Sequence, residues 1–101
     1  MIKHIENEKE FDEIIKEGKV LVDFFANWCG PCKMLAPNLE ALDADPNFAP
    51  QIVKVDVDEN EDLAIRFNVQ SIPSLFYFED GKVKNQALGF MRKDQLVDFC
   101  K

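Results

Sequence analysis

The chain has little of most residue types that would place it by composition alone. Of its 101 residues only three are cysteine, and histidine, tryptophan and tyrosine occur once each. Three cysteines are too few for a small domain stapled by disulfides, and a chain of this length buries a core without them. Glycine and proline number only four and five, which excludes a collagenous or low-complexity polymer. No apolar run approaches the roughly 20 residues of a membrane-spanning helix. No charged-then-apolar leader with a small-residue cleavage site opens the sequence, so export is not expected. Basic residues are the minority, 12 against 19 acidic, and the net charge of −7 argues against nonspecific nucleic-acid or anionic-membrane binding. Repeats and linkers are also missing. What is left is an ordinary globular composition, 47% hydrophobic and 31% charged, read as a single domain over residues 1–101.

Two of the cysteines stand together in Trp28-Cys29-Gly30-Pro31-Cys32-Lys33. Before them, Val20 to Phe25 has the length and composition of a strand buried on both faces. After them, Cys32, Leu35, Ala36, Leu39 and Leu42 recur at helical spacing. The pair therefore sits on a strand-to-helix turn. Unpaired backbone N–H groups and the positive end of the helix dipole stabilise a thiolate there, so Cys29 should ionise more readily than a free cysteine. Pro31 suits a first helical turn, where its missing N–H needs no partner. The spacing lets the sulfurs close a disulfide, with Cys29 attacking a substrate disulfide and Cys32 resolving the mixed one. A structural zinc needs four ligands, and only Cys100 and His4, near opposite ends, remain to complete a set, so no metal site is expected.

Elsewhere the pattern predicts a short strand over Ile2 to Ile5, then a helix started by the capping-box variant Asn7-Glu8-Lys9-Glu10 and ended by Gly18. The motif helix carries Pro37, where a kink is expected, and ends before Pro46. A third strand spans Ile52 to Val57, and Leu63, Ala64 and Phe67 mark a short helix. Ser74 to Phe78 reads as a fourth strand, Glu79-Asp80-Gly81-Lys82 as a hairpin turn and Val83 to Leu88 as a polar edge strand. Lys93 to Lys101 closes the chain as a helix. The order β-α-β-α-β-α-β-β-α calls for a mixed sheet with helices on both faces, the dithiol lying at the carboxyl end of a strand.

Asp23 interrupts the apolar strand. A carboxylate there is costly to bury charged and should have a raised pKa, which suits either a proton acceptor or a salt-bridged structural ion. Lys54, between Val53 and Val55, is the candidate partner, and an exposed edge lysine is the alternative. Base rates make the Ile72–Pro73 bond trans. Trp28 either shields the thiolate and contacts clients or packs in the core. Cys100, on the Leu96 and Val97 side of its helix, reads as a buried inert thiol, and His4 receives no role.

Asp23, Trp28 to Lys33, Pro37, Lys54, Ile72-Pro73, Gly81 and Gly89 stand in the order and spacing of the thioredoxin family, which the chain resembles over essentially its whole length. The resemblance implies an α/β thioredoxin fold, a central mixed five-stranded sheet flanked by four helices. It implies a protein-disulfide reductase in which Cys29 attacks, Cys32 resolves and Asp23, with Lys54, assists deprotonation of the resolving thiol. It makes Pro73 cis and facing the dithiol, and assigns client contact to Trp28, Gly30, Pro31, Ile72, Pro73, Gly89 and Phe90. No cofactor would be bound, and NADPH would act indirectly through a thioredoxin reductase. The partners would be protein disulfides and that reductase, and the chain a cytoplasmic monomer. Gly-Pro between the thiols resembles the reducing members. A disulfide isomerase or oxidase is the nearest rival, and a binding module using the same groove without turnover is the second. Phe25 replaces a tryptophan of many relatives, and Phe90 stands where some carry a small residue.

Overall fold

Capping residues and apolar alternation divide the chain into nine elements in the computed structural model, which describes residues 1–101. They are β1 (Lys3–His4), α1 (Glu8–Ile15), β2 (Lys19–Phe25), α2 (Gly30–Asp43), β3 (Gln51–Asp56), α3 (Glu61–Arg66), β4 (Ser74–Glu79), β5 (Lys82–Leu88) and α4 (Lys93–Phe99). The order is the expected one, with ends moved by a residue or two. The first strand is the shortest of these, because only Lys3 and His4 pair with Val53 and Lys54 of β3. Ile5 extends the pairing through its amide, which donates to the Lys54 carbonyl at 3.0 Å, while its side chain enters the core.

Local chemistry explains the boundaries. Asn7 Oδ1 accepts the Glu10 N–H and Glu10 Oε1 accepts the Glu6 N–H, both at 2.9 Å, a capping box displaced one residue outward. The assigned span of α2 continues through Pro37 and stops at Asp43, ahead of Pro46. At the β4–β5 turn Asp80 and Gly81 have φ of 50° and 85°, the paired left-handed conformation of a tight hairpin that suits Asp-Gly. Asp80 also pins this hairpin to the α1–β2 turn, its Oδ1 accepting the Gly18 N–H at 2.8 Å and its N–H donating to the Gly18 carbonyl at 2.9 Å.

The sheet order is β1-β3-β2-β4-β5. The first three strands run parallel, and β4 and β5 are antiparallel additions. Alternation along β2 sends Val20, Val22 and Phe24 to one face and Leu21, Asp23 and Phe25 to the other. The first face is buried with Phe11 and Ile15 of α1 and Leu63 of α3. The second gathers Leu35, Leu39 and Leu42 of α2 with Leu96 and Phe99 of α4. Phe67, just past α3, meets the rings of Phe11, Phe24, Phe76 and Phe78 at centroid distances of 5.4, 5.8, 5.3 and 5.9 Å. Such pairs contribute about 0.5–1.5 kcal/mol each beyond area burial. They anchor the start of the α3–β4 connection, the segment that carries Ile72 and Pro73.

Candidate active site

The turn from β2 into α2 places the dithiol. Cys29 is the N-cap of α2, with extended φ and ψ of −87° and 116°, and Pro31 occupies the first turn. Cys29 and Cys32 form a disulfide with Cα atoms 5.2 Å apart. The backbone N–H of Cys32 donates to Cys29 Sγ at 3.2 Å. A cap position offers a negative sulfur both that N–H and the positive end of the helix, whereas Cys32 lies inside the helix. Burial does not separate the two, since Cys29 is 5% and Cys32 3% exposed. Helix position therefore distinguishes their chemistry. Cys29 Sγ also stands 3.7 Å from the Ile72 carbonyl oxygen.

Asp23 lies on the sheet face that α2 covers. It is fully buried, and neither carboxylate oxygen has a hydrogen-bond partner. Burial raises its pKa to about 7, partly opposed by the positive charge of Lys54. Register puts Lys54 directly across from Asp23. Its ammonium nevertheless lies 4.4 Å from the Phe25 ring centroid, a cation–π contact, and makes no ion pair with the carboxylate. Lys54 thus acts on Asp23 through its field rather than by touch. Desolvation wins, leaving an acid able to take and return a proton near neutral pH. A polar recess of about 310 Å³ beside Lys54 includes His4, Phe25 and Asp56.

Three chain segments meet around the sulfurs. The Ile72–Pro73 bond is cis, and Pro73 is buried. Its carbonyl accepts the Gly89 N–H at 2.8 Å, joining this turn to the loop that carries Phe90. Gly89 has φ 91°, a conformation glycine adopts without a side-chain clash. Trp28 is 70% and Phe90 42% exposed, and Gly30 and Pro31 are exposed as well, so the residues flanking the disulfide in sequence and the loop after Gly89 are accessible. The core alternative for Trp28 is excluded. Cys100 is buried away from these residues, and burial pushes its thiol up to about 12. No cluster of three or more histidine, cysteine or carboxylate side chains could hold a metal ion.

Sequence reasoning missed the groups that hold these segments. The Trp28 indole N–H donates to Asp58 Oδ2 at 2.8 Å, and Asp56 Oδ1 accepts the Asp58 N–H at 2.8 Å, shaping the turn after β3. Asn38 on α2 donates to the Met91 carbonyl at 3.0 Å, fastening the loop behind Phe90. The Asp-x-Asp run over 56–58 signals a turn by composition, but nothing in it points at Trp28.

The Thioredoxin family model matches residues 2–101. A thioredoxin of Staphylococcus haemolyticus is 48% identical over 91 residues, covering 90% of this chain and 88% of the relative. One from Staphylococcus saprophyticus is 47% identical with the same coverage. Among solved structures, a mutant thioredoxin from Halobacterium salinarum superposes with a TM-score of 0.88 at 33% identity, covering 99% of this chain and 91% of that one. Thioredoxin of Plasmodium falciparum gives 0.85 at 35% identity, covering 95% and 96%.

Proposed function

The chain belongs to the thioredoxin family, and from that membership we propose specific roles for the residues around its dithiol. It is a thiol-disulfide oxidoreductase that reduces protein disulfides through Cys29 and Cys32 and is recharged by a thioredoxin reductase. Cys29, as a thiolate, attacks one client sulfur, forming a mixed disulfide and releasing the other client sulfur as a thiolate that takes up a proton. Cys32 then loses its proton and attacks Cys29 Sγ. The second client thiol leaves, and two electrons have passed from the Cys29 and Cys32 dithiol to the client, leaving Cys29 and Cys32 joined in a disulfide. The observation that carries this order is Cys29 at the N-cap of α2, its sulfur accepting the Cys32 N–H at 3.2 Å.

Asp23 is the group that receives the Cys32 proton, supported by its burial, its lack of partners and a pKa of about 7. Lys54 keeps that value from rising further. Clients lie extended across Trp28, Gly30, Pro31, Ile72, Pro73, Gly89 and Phe90, pairing with free backbone beside the cis proline. NADPH supplies electrons only through the reductase. Residues 1–101 act as one monomeric domain in the cytoplasm, away from membranes and nucleic acid. That reading draws on a net charge of −7 and on the lack of any helix long and apolar enough to cross a membrane.

Insulin reduction followed by turbidity, driven by dithiothreitol and then by NADPH with a thioredoxin reductase, tests the whole scheme. Cys29→Ser should abolish turnover, and Cys32→Ser should accumulate a mixed disulfide through Cys29. An adduct trapped through Cys32 instead would reverse the roles.

A further inference from the structure

β5 is the edge of the sheet opposite β1, and it lacks cover in two directions. Its outer edge has no neighbouring strand along seven residues, with a register shift between Val83 and Asn85 and the Gln86 N–H donating to Asn85 Oδ1 at 3.0 Å. Its two faces are also unequal. On the α4 side, Ala87 packs against the core and the Asn85 side chain donates to the Phe99 carbonyl at 3.3 Å. On the other side Val83 is 44% and Leu88 67% exposed. Register sets Val83 opposite Phe78, Gln86 opposite Phe76 and Leu88 opposite Ser74, so these three share the face that α1 and α3 cover over the sheet centre. There they border an open groove of about 570 Å³ floored by Phe67 and Phe76.

The charge of this edge opposes that of the molecule. From Gly81 to Lys93 the sequence has four basic residues and no acidic one, in a chain of net charge −7. Arg92 and Lys93 are answered by Asp94 and Asp45. Lys82 and Lys84 on β5 make no salt bridge, as is also true of Lys9, Lys19, Lys33 and Lys54, and the register sets Lys82 opposite Glu79. Edge lysines ordinarily block the pairing of like edges, and here they would set four ammonium groups against each other if two copies met along β5. The same charges favour an acidic strand.

We infer that the β5 edge is a second docking surface, which takes an extended acidic segment of a partner protein as a sixth strand. Backbone pairing along Lys82 to Leu88 supplies the affinity. Aliphatic side chains at alternate positions of the guest lie beside Val83 and Leu88 at the mouth of the groove, and guest carboxylates meet Lys82 and Lys84. The surface adjoins the Gly89–Phe90 loop, so a reductase held there is tethered beside the dithiol and its second contact becomes intramolecular. The inference deepens the reductase reading by adding a partner site outside the client rim.

The experiment uses a capped, cysteine-free synthetic peptide alternating valine with glutamate, titrated into the isotope-labelled protein and followed by amide chemical shifts. Shifts along Lys82 to Leu88 are expected. A peptide with lysine in place of glutamate should bind the wild-type protein about tenfold more weakly, as should the glutamate peptide with Lys82→Glu, Lys84→Glu. Insulin reduction by that double variant under dithiothreitol should match wild type, which separates this site from the dithiol chemistry. Shifts confined to Trp28, Ile72 and Phe90, or no binding at millimolar peptide, would overturn the inference. So would dimerisation of the free protein through β5, which would make a second copy the occupant.

Discussion

Lys54 stands across from Asp23 in the parallel β2–β3 register, yet its ammonium is seated over the Phe25 ring at 4.4 Å and leaves both Asp23 oxygens without a partner. Two attractions compete for one cation, and the ring holds it. The acid keeps most of its desolvation penalty as a result, and its pKa settles near 7.

Asp23→Asn should stabilise the fold in a pH-dependent way. An unfolded aspartate titrates at about 3.9, whereas Asp23 titrates at about 7 in the folded chain. Between those values the folded state holds more protons than the unfolded state, so this group makes stability fall as pH rises, until the effect levels off above about 7. Urea unfolding should find the Asn variant more stable by about 4 kcal/mol at pH 8 and nearly equal to wild type at pH 4. Its thiol exchange should be slower. Lys54→Met should shift the Asp23 titration, read by carboxyl carbon chemical shift, upward from wild type. An Asn variant less stable at pH 8 would identify Asp23 as a structural ion.

Asp58→Ala releases the indole of the single tryptophan. Trp28 is largely exposed, so stability should change by no more than about 0.5 kcal/mol. Its fluorescence should change as the N–H turns to water, and kcat/KM on insulin should fall several-fold, about 1 kcal/mol for a lost charge-assisted hydrogen bond that orders the rim. Unchanged emission and unchanged kinetics together would show that the bond orders nothing.

Phe90→Ala removes half-exposed apolar surface without touching either sulfur or Asp23. Client reduction should weaken mainly through KM, by about 1 kcal/mol in kcat/KM. A small disulfide that does not span the rim should be reduced at the wild-type rate. Equal losses on insulin and the small disulfide would place Phe90 in support of the dithiol rather than of the client.

Cys100 should stay inert in the folded protein. Its thiol is buried and pushed up to about 12, leaving almost no thiolate at pH 8. After reduction, iodoacetamide at pH 8 should label Cys29 quickly and Cys100 only after urea is added, as counted by mass spectrometry. Rapid labelling of Cys100 in the native state would mean that α4 opens readily.

The sheet-forming segments and the dithiol turn were legible in the chain because each rests on local chemistry. Alternation marks strands, Asn7 and Asp80-Gly81 mark a cap and a hairpin, and Cys29 precedes a helical pattern that includes Pro31. The strand over Ile2 to Ile5 was overextended. Its length depends on how much of it pairs with β3, which no residue inside it states.

The sequence by itself determined where two thiols meet a helix start and where one acid interrupts an apolar strand. These follow from spacing and burial preference, which act over a few residues. Tertiary structure decided who touches whom. It gave Lys54 to Phe25 rather than to Asp23, Asp58 to Trp28, Asn38 to the Met91 carbonyl and Asp80 to Gly18. It also left β5 bare on one face and one edge. Those choices depend on the strand order β1-β3-β2-β4-β5 and on which helix covers which strands. Contacts between distant segments form only when the whole core closes, and that packing selects among partners of similar local chemistry.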